Sequence, residues 1–265
     1  MDNRPIGIFD SGIGGLTVAS ALHRVLPKES ILYFGDTAHL PYGDKSAETI
    51  IAYAKNITEL LLANDCKAIL IACNSASAAA FGAVCELAGT LPVFNVIDPV
   101  VHRVANDHPN ARVGVIGTRA TVTSAVYRTR LMQLSAGTEV VEKSTSLLAP
   151  MIEEGFHDDS ISHAVIHAYL EDSAFDGMEA LIPACTHYPL IADEIRQYFG
   201  ETVQVIDAPN VVAEHMREEL SAKEMLSTDG QAERHFLVSD LTPSFQKSAA
   251  IFFGEKVKLE EKRPV

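Results

Sequence analysis

Ile69-Leu70-Ile71-Ala72-Cys73-Asn74-Ser75 and Leu181-Ile182-Pro183-Ala184-Cys185-Thr186-His187 share one plan: an apolar run that stops at a cysteine and passes into small or polar residues. A strand that is apolar at successive positions is buried on both faces, the condition of a parallel sheet covered by helices. Working outward, further short β-rich runs fall at 6–9, 31–34, 93–97, 113–116, 139–142 and 203–206. The two cysteine-ended strands are placed at 68–72 and 179–182. Amphipathic or Ala-rich stretches lie between the strands, at 16–26, 47–63, 75–88, 121–134, 160–170 and 190–199. Strand and helix patterns in alternation predict βαβ units.

Each half opens alike. Ile6-Gly7-Ile8-Phe9-Asp10 runs into Ser11-Gly12-Ile13-Gly14-Gly15, and Val113-Gly114-Val115-Ile116-Gly117 runs into Thr118-Arg119-Ala120-Thr121. The expected fold is therefore α/β, with two similar domains, each a mainly parallel sheet flanked by helices. Asp98-Pro99 and Ala208-Pro209 are the expected crossing points, because a residue before proline is disfavoured in helical geometry. The tail beyond about Glu233 predicts a strand at 235–238, a helix at 244–253 and then a charged segment that frays.

Composition narrows the function. With 265 residues and 47% hydrophobic content, the chain has material for two cores. Lys and Arg number 21 against 35 Asp and Glu, a formal charge of -14 that disfavours nucleic acid and anionic membranes as partners. No run approaches the roughly 18 apolar residues of a membrane span, and the first residues hold no apolar leader core. A cytoplasmic location is expected. Cysteines at 66, 73, 85 and 185 form no Cys-x-x-Cys pair, so neither a dithiol redox motif nor a structural zinc signature is present, and no metal is expected.

Ligands of parallel α/β sheets bind beyond the carboxyl ends of the strands, where Cys73 and Cys185 both fall. A proton can be moved across a carbon without an electron sink if a base stands on each face, one deprotonated and one protonated. Thiols titrate close enough to neutrality to serve as either. Cys66 and Cys85, at and within helical stretches, read as packing residues.

Three other readings compete. Gly12, Gly14 and Gly15 followed by Asp36 resemble a dinucleotide fingerprint, but Thr17 stands where its third glycine belongs. Cys185 and His187 could form a cysteine-hydrolase pair, which leaves Cys73 unexplained. Glu153 and Glu154 follow a helical stretch and read as an exposed face, although a carboxylate near a cleft could assist a bound ammonium.

Phe9-Asp10-Ser11-Gly12-Ile13-Gly14-Gly15, Tyr33-Phe34-Gly35-Asp36, Pro41-Tyr42-Gly43, Ala72-Cys73-Asn74-Ser75-Ala76-Ser77, Val115-Ile116-Gly117-Thr118 and Cys185-Thr186-His187-Tyr188-Pro189-Leu190 together strongly resemble the glutamate racemase family, over roughly residues 5 to 210. The resemblance implies cofactor-free interconversion of L- and D-glutamate for peptidoglycan synthesis. It also implies an active site between the two domains, with the C-terminal segment returning to the first. The expected domains are then 1–97 plus 209–265, and 98–208. By position, Cys73 and Cys185 are the catalytic acid/base pair, assisted by Asp10 and His187. Asp10, Ser11, Pro41, Tyr42, Gly43, Asn74, Ser75, Thr186 and His187 match substrate-contacting positions, and Thr118 and Thr121 add donors at a helix start. Ser75 replaces a common threonine, Ala184 a common glycine, and Pro183 lacks an N–H at a strand end. Aspartate racemase, another two-cysteine isomerase, or a non-catalytic amino-acid-binding module are the alternatives. A homodimer is one assembly open to the chain.

Overall fold

The computed structural model describes residues 2–157, 160–228 and 232–263. Ten strands and eleven α-helices are assigned among them. The first part of the chain gives β1 (Ile6–Asp10), α1 (Leu16–Val25), β2 (Ile31–Gly35), α2 (Ala47–Ala63), β3 (Ala68–Ile71), α3 (Asn74–Ala88), β4 (Val93–Asn95) and α4 (Asp98–Asp107). The second gives β5 (Arg112–Gly117), α5 (Arg119–Thr123), α6 (Val126–Leu134), β6 (Glu139–Ser144), α7 (Leu148–Glu153), α8 (Ser160–Leu170), β7 (Ala180–Ala184), α9 (Ala192–Phe199) and β8 (Gln204–Val205). The chain closes with α10 (Ala208–Ala222), β9 (Arg234–Val238), α11 (Pro243–Phe253) and β10 (Leu259–Glu261).

Two sheets result. Six strands in the order β10-β9-β2-β1-β3-β4 form one, and four in the order β6-β5-β7-β8 form the other. Every strand pairing is parallel. Ile8 lies in register with Tyr33 on one side and Leu70 on the other. The central strands β1, β2, β3 and β7 are buried at every position, which is why each reads as a continuous apolar run.

Strand order fixes where a ligand can sit. In the first sheet β2 lies on one side of β1 and β3 on the other; in the second, β6 and β7 flank β5 in the same way. The crossovers leave a crevice at the carboxyl ends of β1 and β3, and another at those of β5 and β7. Asp10 and Cys73 occupy the first crevice, Thr118 and Cys185 the second.

The structure departs from the sequence reading at three points. Asp98 and Ala208, expected to avoid helical geometry, instead open helices α4 and α10, with Pro99 and Pro209 in the first turn, where a missing N–H costs no helical bond. The helix expected over 121–134 is broken at Ala125, whose φ of 51° is left-handed. The charged tail is not frayed at 259–261, because β10 pairs with β9; its last two residues lie outside the described ones. Helix α7 is the helical stretch expected ahead of Glu153-Glu154, and it carries Glu153 at its end. Pro183 stands where the next ladder bond toward β8 would form, and β8 stops at Val205.

Candidate active site

Eleven of the thirteen expected site residues line one cavity of about 260 Å³: Ser11, Pro41, Tyr42, Gly43, Cys73, Asn74, Ser75, Thr118, Cys185, Thr186 and His187. The two thiols enter it from different sheets. Cys73 ends the β3 run and caps helix α3, its sulfur accepting the Ala76 N–H at 3.5 Å. Ser11 Oγ lies 3.8 Å from the same sulfur. Cys185 follows β7, with its sulfur 3.6 Å from His187 Nδ1. That contact brings together the pair from which a hydrolase could be read, yet the cavity presents Cys73 as well.

Asp10 and Thr121 do not line the cavity. Asp10 is fully buried, and its Oδ2 accepts the N–H groups of Gly15 at 2.9 Å and Gly12 at 3.2 Å. Its Oδ1 has no protein partner. Thr121 is buried behind Thr118, with their hydroxyls 3.0 Å apart.

The two sides differ in charge environment. Burial, reinforced by the neighbouring Asp10 carboxylate, pushes the Cys73 thiol up to about 12. Burial likewise raises Asp10 above the ordinary carboxylate range, against the pull of His187 and the loop N–H groups. At His187 burial works against the imidazolium, but Cys185 and Glu153 override it and lift the ring well above its ordinary value. Glu153 Oε1 sits 2.8 Å from His187 Nε2. Cys73 thus stands beside a carboxylate, and Cys185 beside an imidazole that is anchored by another.

Glu153 lies at the cleft, the second of its two sequence readings, and not on the exposed face that was the first. It holds His187 at the cavity wall. Leu40, Ala149 and Pro150 also line the cavity without having been singled out. Nothing in the spacing of residues 153 and 187 announces their pairing, since tertiary packing alone brings them together.

Glycines set the close approaches. A Cβ on Gly14 would lie 2.5 Å from His187 Cε1 and 2.6 Å from Thr186 Oγ1. A Cβ on Gly35 would lie 2.1 Å from the Gly12 carbonyl, which also accepts Tyr33 OH at 2.8 Å. Three hydrogen bonds stitch the facing sides: Thr17 Oγ1 to the Thr186 carbonyl at 2.9 Å, Tyr127 OH to Asn74 Oδ1 at 2.7 Å, and Ser75 Oγ with Thr118 Oγ1 at 2.9 Å.

Two switch-point crevices closed on each other, with one thiol in each, define an α/β enzyme of the isomerase type. The chain belongs to the Asp/Glu/Hydantoin racemase family, whose model matches residues 15–216. A glutamate racemase of Geobacter metallireducens is 38% identical to it, over 96% of this chain and 94% of that one. One of Chlorobaculum tepidum is 41% identical, over 96% and 93%. Among solved structures, glutamate racemase from Francisella tularensis in complex with D-glutamate superposes with a TM-score of 0.93 at 38% identity, covering 99% of this chain and 98% of that one. An aspartate racemase of Picrophilus torridus, at 17% identity and a TM-score of 0.62, shares the fold over 82% of this chain and 94% of that one. Among the described residues no helix is long and apolar enough to cross a membrane.

Proposed function

We infer that this chain is a glutamate racemase that exchanges the α-proton between Cys73 and Cys185. The observation that carries the reading is the pair of thiols entering one small cavity from opposite sheets, in unlike charge environments. Burial and the Asp10 carboxylate favour the protonated form of Cys73, and the exchange needs one sulfur protonated and the other not. For one enantiomer Cys185, as the base, takes the α-proton from one face while the Cys73 thiol delivers its own to the other. This inverts the carbon and leaves Cys73 as thiolate and Cys185 as thiol. The other enantiomer reacts with the roles reversed.

The backbone and hydroxyl groups of Ser11, Gly43, Asn74, Ser75, Thr118 and Thr186, which line the cavity, would hold two carboxylates and an ammonium. Such fixed dipoles stabilise developing charge with little reorganisation. His187 and, from behind the wall, Asp10 tune the two thiols. Relatives at 38 and 41% identity that carry the name glutamate racemase favour glutamate over aspartate. The D-enantiomer would serve peptidoglycan synthesis in the cytoplasm. Residues 1–97 with 209–265, and residues 98–208, act as two bodies that close on the substrate and exclude water.

Pure protein incubated with either enantiomer of glutamate in deuterium oxide is expected to racemise it and to place deuterium at the α-carbon, with aspartate a poor substrate. Cys73→Ala or Cys185→Ala abolishes turnover. Absence of exchange, or full activity in either variant, removes the two-thiol mechanism; faster turnover of aspartate moves the assignment to that substrate.

A further inference from the structure

The loop that carries Pro41, Tyr42 and Gly43 into the cavity has little regular structure of its own, only a single 3-10 turn at Tyr42–Asp44. Its placement comes from elsewhere in the chain. Asp36, 2% exposed, receives Tyr42 OH on Oδ2 at 2.6 Å and Ser239 Oγ on Oδ1 at 2.8 Å. Ser239 Oγ in turn accepts the Ala38 N–H at 2.9 Å. Beside it, Thr37 Oγ1 donates to the Asp240 carbonyl and accepts the Asp240 N–H at 2.9 Å. The Ser239 N–H also reaches the Gly35 carbonyl at 3.0 Å, extending the β9 to β2 ladder.

Four bonds from residues 239 and 240 therefore hold residues 36–38, some 200 positions earlier in the chain, and a fifth passes the constraint on to Tyr42. Ser239 is 3% exposed and lines no part of the cavity. Its hydroxyl serves two partners at once: it donates to the carboxylate that orients Tyr42 and accepts from the backbone that leads into the substrate loop. A buried hydroxyl with both functions satisfied is costly to replace: the buried Asp36 Oδ1 would keep only its contact with His39 Nδ1 at 2.8 Å, and the Ala38 N–H would lose its protein acceptor.

We propose that Ser239, through Asp36 and Tyr42, is a positioning residue for substrate binding, so that the returning C-terminal segment sets the geometry of the Pro41-Tyr42-Gly43 loop. The proposal rests on the racemase reading above. A misplaced loop weakens contacts made equally with bound substrate and transition state, which raises KM and spares kcat. A merely structural role has another signature: fewer folded molecules lower apparent kcat and leave KM where it was.

The test is the steady-state kinetics of wild type, Ser239→Ala, Ser239→Thr and Thr37→Val with glutamate, alongside thermal melts. Wild-type turnover first establishes the reaction independently; if it is absent, the functional reading fails before this one is reached. With turnover present, Ser239→Ala is expected to raise KM about tenfold with kcat within about twofold of wild type. Ser239→Thr, which keeps the hydroxyl, is expected to restore KM, and Thr37→Val to raise it in the same direction. An unchanged KM in Ser239→Ala overturns the proposal. So does a fall in kcat alone, or a failure of both Ser239→Ala and Thr37→Val to fold.

Discussion

Chemically identical side chains acquire different duties here through their neighbours. Cys73 has a carboxylate at its back, Cys185 an imidazole, and the imidazole has Glu153. Because Glu153 helps hold His187 well above its ordinary value, the imidazolium outlasts the pH at which a free histidine turns neutral. In Glu153→Gln that support is gone, the His187 value falls, and the alkaline limb of kcat/KM is expected to shift to lower pH, with a loss of a few-fold near pH 8. A limb that stays in place would detach Glu153 from the chemistry. Gly14 offers a steric counterpart. A methyl there meets the ring and the Thr186 hydroxyl at distances no real Cβ tolerates, and His187 is too buried to yield. With His187 in the role proposed for it, Gly14→Ala is expected to cut kcat by about a hundredfold, since displacement of a reacting group's partner by about 1 Å costs that much; near-normal turnover would show that the ring can move.

At the scale of elements, what could be read from the sequence depended on whether a residue's fate was decided locally. Strands β1, β2, β3 and β7 were legible to within a residue or two because burial on both faces leaves an unbroken apolar run. So were the strand-end cysteines, since strand direction alone fixes the end at which a ligand binds. Helix α10 was hidden by Pro209, which looks like an interruption but occupies a first helical turn. Strand β10 was hidden by its charge, because Glu260 and Glu261 are exposed and only Leu259 faces the core. The break between α5 and α6 carries no glycine to mark it. Ala125 takes a left-handed conformation that costs an L-residue roughly 1 kcal/mol. Ala125→Gly is therefore expected to stabilise the protein by about 0.5 kcal/mol, the strain relieved exceeding the added freedom of the unfolded chain. Chemical denaturation should show a higher midpoint at unchanged slope, and a lower one would mean that the alanine methyl packs to greater benefit than its backbone costs.

For the molecule as a whole, the buried acids that equip the cleft also set how stability responds to alkali. Burial pushes both Cys66 and Cys73 from an ordinary 9.0 up to about 12. A thiol with a raised value in the folded state binds its proton where the unfolded chain has released it. Its contribution is therefore intact below pH 9 and is lost progressively as pH climbs toward 12. Tyr33, Tyr127 and Tyr188, each raised first of all by burial, add to the loss once their unfolded counterparts ionise near pH 10. Cys66 isolates the effect from catalysis: it is buried against Gly7 of β1 and lines no part of the cavity. Wild type and Cys66→Ala should each be unfolded by denaturant at pH 9 and at pH 10.5, so that any cavity left by the substitution cancels between the two pH values. Wild type is expected to lose about 1.5 kcal/mol more than the variant over that interval, because only wild type must keep this thiol protonated on folding. Parallel losses in the two proteins would mean that the Cys66 thiol ionises as readily in the fold as outside it, and that its burial under β1 admits water.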